Sequence, residues 1–127
     1  MIILNHKIIN PLNIVKISDK DSIDNSLPND FLIINCDNFS KTLQLANFCA
    51  KEKLSYACKV DSIKEALMLV NLSVGFLLCE DLKFAKSLQK LAEKYLFDAK
   101  VLLTIKAESQ IQKAAKYGID GVIFANF

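Results

Sequence analysis

From position 31 onward, blocks of apolar residues alternate between two periods. Phe31-Leu32-Ile33-Ile34 is a short continuous apolar run, the pattern of a parallel strand covered on both faces. From Ser40 to Lys53 the apolar positions Leu43, Ala46 and Ala50, continuing to Leu54, recur at helical spacing. The unit then repeats. Tyr56-Ala57-Cys58-Lys59-Val60 predicts a second strand. Ser62-Ile63-Lys64-Glu65 has the form of a capping box and opens a helix carrying Ile63, Ala66, Leu67 and Val70 on one face. Phe76-Leu77-Leu78-Cys79 predicts the third strand, Leu82 to Phe97 a helix, and Val101-Leu102-Leu103-Thr104 the fourth strand. Glu108 to Tyr117 is a helix closed by Gly118, and Val122-Ile123-Phe124 predicts the fifth strand. Lys59 to Leu78 and Lys106 to Phe124 share the order of polar strand end, amphipathic helix, turn and apolar strand, a weak internal repeat.

Strands alternating with helices imply right-handed crossovers and a parallel sheet. The expected fold class is therefore α/β: a five-stranded parallel sheet in a flavodoxin-like three-layer sandwich, strand order 2-1-3-4-5. The alternative is a half (βα)8 barrel with its strands in sequential order. Residues 1–30 differ from the rest. Met1 to Ile17 holds two apolar patches broken by Asn10-Pro11, read as one or two short strands with a hairpin as one arrangement. Ser18 to Asp30 reads as a polar linker. The expected organisation is an N-terminal β extension (1–30) followed by the repeat domain (31–127). No helix follows the fifth strand, so the sheet face beside it is expected to lack cover and to serve as the surface for a homodimer or another protein.

Composition narrows the function classes. The chain has 127 residues, 52% of them apolar, enough for one core. No apolar run approaches the roughly 20 residues that span a bilayer, and the N-terminus lacks a signal-peptide pattern, so a cytoplasmic protein without a membrane role is expected. The formal charge is +2, every basic side chain apart from the single His6 is a lysine, and the lysines are scattered. Without arginine, a nucleic-acid partner is not expected. The four cysteines, 36, 49, 58 and 79, show no CxxC spacing, which predicts small buried apolar residues rather than a zinc site.

Ligands of parallel α/β sheets bind beyond the carboxyl ends of the strands. The candidate ligand-binding residues there are Asn35, Asp37, Asp61, Glu80, Asp81 and Thr104. Such an acidic edge would admit Mg²⁺, with Asp37 and Asp81 as its ligands. The competing reading is that each residue merely caps the helix that follows. No cofactor other than Mg²⁺ is indicated, and no catalytic set is complete. His6 lies outside the repeat. Cys36 and Cys79 are the only nucleophiles at strand ends, and the neighbouring Asp37, Glu80 and Asp81 oppose thiolate formation.

Two families are similar to parts of this pattern. Residues 31 to 127 resemble the receiver domain of response regulators: Leu32 to Asp37 the first strand and acidic pair, Tyr56 to Leu67 the second strand and helix, Phe76 to Asp81 the strand that delivers the phosphorylated aspartate, Val101 to Thr104 the strand with the conserved hydroxyl, and Gly118 to Phe127 the stretch ending in Lys-Pro-Phe. Asn35 and Cys36 stand where that family's metal-binding acids belong, Cys79 or Glu80 stands at the phosphoacceptor, and Ala125-Asn126 replaces Lys-Pro. The resemblance thus implies a pseudo-receiver, a non-enzymatic interaction module. Leu78-Cys79-Glu80-Asp81-Leu82 and Gly118 to Ala125 resemble strands of a phosphate-binding TIM barrel such as thiamine phosphate synthase. That likeness implies a half barrel, and a small Mg²⁺- or phosphate-ligand enzyme, or a remnant of one, using Asp37, Asp61, Glu80 and Asp81.

Overall fold

A computed structural model describes all of residues 1–127. The strands are β1 (Ile2–Leu4), β2 (Ile14–Ile17), β3 (Phe31–Ile34), β4 (Ala57–Lys59), β5 (Phe76–Cys79), β6 (Lys100–Ile105) and β7 (Gly121–Phe124). The helices are α1 (Lys20–Asp24), α2 (Phe39–Lys51), α3 (Ile63–Val70), α4 (Leu82–Lys94) and α5 (Ser109–Lys116). No helix is long and apolar enough to cross a membrane.

All seven strands form one parallel sheet in the order β1-β7-β6-β5-β4-β3-β2. This corrects three expectations. The sheet has seven strands rather than five, β2 to β7 follow one another in sequence with β1 added beyond β7 rather than the order 2-1-3-4-5, and the N-terminal strands are not a hairpin. β1 pairs with β7 and β2 with β3, so the first 17 residues lie in the same sheet as the repeat. The stretch read as a linker contains α1, whose first turn is held by the Asp19 carboxylate accepting from the Ser22 N–H at 2.8 Å.

Strand order explains the shape. When right-handed crossovers advance in one direction, every helix lands on the same face of the sheet. The other face must then be buried by the sheet itself. Ile33, Ala57, Leu78, Leu102 and Ile123, one from each of β3 to β7, form an apolar cluster at 0–1% exposure. No helical residue joins it; its partly buried neighbours include Ile2, Leu4, Ile14, Phe31 and Phe76 from strands, with Leu12 and Phe127 beside them. Strand residues reach that burial without a covering layer only where the sheet is concave. The opposite parity, including Ile34, Cys58, Leu77, Val101 and Val122, packs against the helices in the larger cluster. The chain is a half-barrel, the alternative architecture.

The seam between the edge strands confirms the curl. A flat seven-stranded sheet would hold β1 and β2 roughly 29 Å apart. Instead Asn5, just past β1, accepts the Leu12 N–H on its side-chain oxygen at 3.3 Å, two residues before β2 begins. The same amide donates to Phe124 O at 3.0 Å and to Asn126 Oδ1, clipping β1 to the end of β7. Asn5 adopts φ +61°, a conformation that asparagine tolerates better than most residues. The face beside the last strand is not bare, as had been expected: β1 covers its edge, Val122 and Ile123 are fully buried, and the His6 ring lies 5.2 Å from that of Phe124.

The repeating unit is more regular than its sequence. Asn38, Ser62 and Asp81 cap α2, α3 and α4 as Asp19 caps α1, each accepting from the third residue onward. Four helices leave through the same turn, with a left-handed residue (Lys53, Ser73, Leu96 or Gly118) followed by an apolar one. The apolar residue closes a six-to-one bond: Leu54 to Cys49 at 2.8 Å, Val74 to Leu69 at 3.5 Å, Phe97 to Ala92 at 2.9 Å and Ile119 to Ala114 at 3.2 Å.

Gly121 sets the approach of β1 to β7. A methyl group there would sit 2.6 Å from Ile2 Cβ and 2.9 Å from Leu102 Cδ2, and closer still to the Ile2 carbonyl. Gly121→Ala is expected to cost about 1 to 3 kcal/mol through overpacking. The check is a lower urea midpoint at unchanged m value. An unchanged midpoint would show that β1 yields without loss.

Candidate binding site at the barrel mouth

The register brings the strand-end residues into one tier. Ile33 and Ile34 pair with Ala57 and Cys58, so continuing by one residue sets Asn35 opposite Lys59. Cys79 pairs with Leu103, which sets Glu80 opposite Thr104. By strand alternation all four share the parity of the concave cluster, one step above Ile33, Ala57, Leu78 and Leu102.

A cavity of about 640 Å³ opens at this end between the carboxyl termini of β3, β4 and β5. Asp37, Asp61, Glu80 and Asp81, all expected at the site, line it. Asn35 and Thr104 do not. Asn35 is exposed and gives its N–H to Ile17 O at 2.8 Å. The Thr104 hydroxyl is buried with no hydrogen-bond partner. The lining also contains residues that had not been singled out as ligand-binding: Lys59, Glu65, Phe39 and Phe84. Lys59 was legible as a charge ending an otherwise apolar strand. Glu65 was hidden by its place in the capping pattern.

Local partners hold these side chains. Asp81 uses one oxygen to accept the Phe84 N–H at 2.9 Å, so the capping role is real and leaves its other oxygen free of side-chain bonds. Asp37 meets Lys41 at 3.6 Å, an exposed pair of little energetic weight. Lys59 lies 3.5 Å from Glu80, and its ammonium stands 5.9 Å from the centre of the Phe127 ring. The remaining lining carboxylates, Asp61 and Glu65, make no ion pair.

No group of three or more His, Cys, Asp or Glu converges anywhere in the chain. All four cysteines are free. Cys49, Cys58 and Cys79 are fully buried, while Cys36 is half-buried. Burial pushes the Cys79 thiol up to about 12, with the Asp81 charge adding to the effect. Burial likewise raises Cys58 and Cys49. Cys79 and Cys58 also belong to the helix-facing cluster, turned away from the mouth.

His6 occupies a second, smaller hollow of about 500 Å³ at the same end, between β1, β6 and β7. Its Nδ1 accepts from the Ile8 and Ile9 N–H groups, each at 3.2 Å. Nε2 therefore carries the proton and donates to Glu108 at 3.0 Å. Both ring nitrogens are engaged in holding the loop between β1 and β2, leaving no lone pair for base catalysis.

The buried thiols predict alkaline sensitivity. Cys79 stays protonated in the folded chain up to about pH 12, whereas an unfolded thiol ionises near its ordinary value of 9.0. Its contribution is intact below pH 9 and is lost as pH rises toward 12. The expected slope is about 1.4 kcal/mol per pH unit for such a thiol. Urea midpoints should fall across that window, and less steeply in Cys79→Ala; a flat profile would contradict the assignment. Compared with known proteins, the chain matches no family model and has no significant match among curated proteins.

Proposed function

We propose that this half-barrel is a non-enzymatic binding module whose mouth takes a small, positively charged organic molecule. The supporting observation is the lining of the mouth: five carboxylates, Asp37, Asp61, Glu65, Glu80 and Asp81, against the single ammonium of Lys59. Carboxylates around a concave wall focus negative potential and favour cations. Phe39 and Phe84 add apolar lining, which suits the hydrocarbon part of an organic cation better than a hydrated metal ion. A non-catalytic role is supported by the chemistry of the candidate nucleophiles and base. The Cys79 thiol is held in its protonated form, and both nitrogens of the His6 ring are occupied.

A thermal-shift series on the full chain tests the reading, with putrescine and spermidine as probes, and Mg²⁺, sugar phosphates and Mg²⁺ with acetyl phosphate as competing arms. A ligand present at a hundredfold excess over its Kd stabilises the native state by about 2.7 kcal/mol. The amines are expected to raise the melting temperature by several degrees. Asp61→Asn with Glu80→Gln should weaken that response at least about tenfold, while leaving the fold intact because both side chains are exposed. A shift with sugar phosphates but none with amines would replace this reading with the phosphate-ligand one. A stable phosphoryl adduct would replace it with a receiver.

A further inference from the structure

Every strand after β2 is reached through a helix, whereas β2 is reached from β1 without one. β1 and β2 are also the two edges of the sheet, so residues 5–13 run between edges that pair with nothing else. In a parallel ladder, alternate residues of an edge strand bond to the neighbouring strand. Ile2 does so, giving its N–H to Asp120 O at 3.0 Å, and Ile3 therefore turns its carbonyl to the open side. Asn10 Nδ2 donates to that carbonyl at 2.9 Å, Asn10 O accepts the Asn5 N–H at 2.9 Å, and Leu12 packs against the concave cluster. The segment is a strap across the seam. It doubles back at residues 6–9, and one ring sets that turn. His6 Nδ1 accepts the Ile8 and Ile9 N–H groups, each at 3.2 Å. The Ile8 and Ile9 side chains are 79% and 45% exposed, so packing does little to replace those two bonds.

We propose that His6 is a proton-operated latch on this strap: a second proton on the ring releases the turn at Ile8 and Ile9 and loosens the seam between β1 and β2 at the mouth. The bonds to Ile8 and Ile9 exist only while Nδ1 carries a lone pair. When the ring is protonated, Nδ1 becomes a donor and faces two other donors. Glu108, just before α5, keeps its 3.0 Å contact with Nε2 in both states and favours the charged ring. Lys7 on the strap and Lys106 after β6 line the same hollow and oppose that charge. The end of β7 adds only Phe124, Ala125 and Asn126 there, none of which titrates. These charges set the pH at which the proton arrives, and Nδ1 sets what it breaks. The strap is closed above the titration of the ring and open below it.

Nuclear magnetic resonance on the full chain tests the proposal, from about pH 8 to pH 5, where imidazole is the side chain that changes charge. The nitrogen shifts of the His6 ring report its tautomer and its titration, and amide exchange reports the strap. At the upper limit the ring is expected to carry its proton on Nε2 alone. Protection of the Ile8 and Ile9 amides, corrected for the intrinsic pH dependence of exchange, should fall at least about tenfold in step with the ring's titration, as the loss of their hydrogen bonds implies. The amide of Leu102, buried in β6, should stay protected throughout. His6→Phe keeps an aromatic ring beside Phe124 without the acceptor, and should leave the turn unprotected at every pH. Glu108→Gln should move the step to lower pH without abolishing it. A ring protonated on Nδ1 at the upper limit, amides whose protection stays constant while the ring titrates, or a step that persists in His6→Phe would each overturn the assignment.

Discussion

Everything in this fold follows from burying a sheet face that no helix covers. Five helices attach to one side of the seven strands, and the other side is sheltered by the sheet itself with Leu12 and Phe127 beside it. Curvature supplies the shelter, so Ile33, Ala57, Leu78, Leu102 and Ile123 come to face one another. Each of these buried aliphatic residues larger than alanine contributes about 1.5 to 3 kcal/mol on removal from water. That gain offsets the strain of bringing the edge strands together. It also makes the closing contacts at Gly121 and Asn5 essential, because an opened seam would wet the whole cluster. At the far end of the same strands a second lock works alongside them. Gln89 and Asp120 exchange bonds at 3.1 and 3.0 Å, and Asp120 also accepts the Val101 N–H on its carboxylate at 2.9 Å and the Ile2 N–H on its carbonyl.

Curvature also decides where chemistry can occur. Parallel strands deliver all their carboxyl ends to one rim, and the helix that follows each strand needs a cap there. Asp19, Asn38, Ser62 and Asp81 fill that need. A ring of capping residues around a concave opening is acidic for a structural reason before it is acidic for a functional one. The residues that go beyond capping are those with no helix amide to satisfy: Asp61, Glu65, Glu80 and Lys59 at the mouth. They distinguish a binding site from a row of helix starts.

Local patterns carried the elements well. The apolar runs at 31–34, 76–79 and 121–124 and the helices between them emerge from periodicity because each is stabilised by its own two faces. Strand order did not emerge, because Ile34 or Val101 reads the same in a sandwich and in a barrel: buried on both sides. The N-terminal strands were hardest to place. Three residues, Ile2 to Leu4, become a strand only by pairing with β7, 119 positions away along the chain. That is a long-range contact with no local signature. At the mouth, Asp37, Asp61, Glu80 and Asp81 were found because they sit at strand ends, whereas Phe39 and Phe84 reach it only through the packing of α2 and α4. Thr104 shows the limit of position alone. It stands at a strand end with the right parity, yet its hydroxyl is sealed within the barrel instead of lining the opening.

The two ends of the barrel obey different constraints, and Leu96 makes the difference visible. At the carboxyl ends a side chain can be charged at little cost, because the helix starts favour negative charge and water is close. At the amino ends the turns must reverse the chain through a left-handed residue and return an apolar one to the core, as Leu54, Val74, Phe97 and Ile119 do. Polar or small residues meet the turn's own demand at Lys53, Ser73 and Gly118. A leucine there adds backbone strain and exposes apolar surface at once. The turn is held by its neighbour Phe97, which closes the six-to-one bond to Ala92 and packs against the helix-facing core.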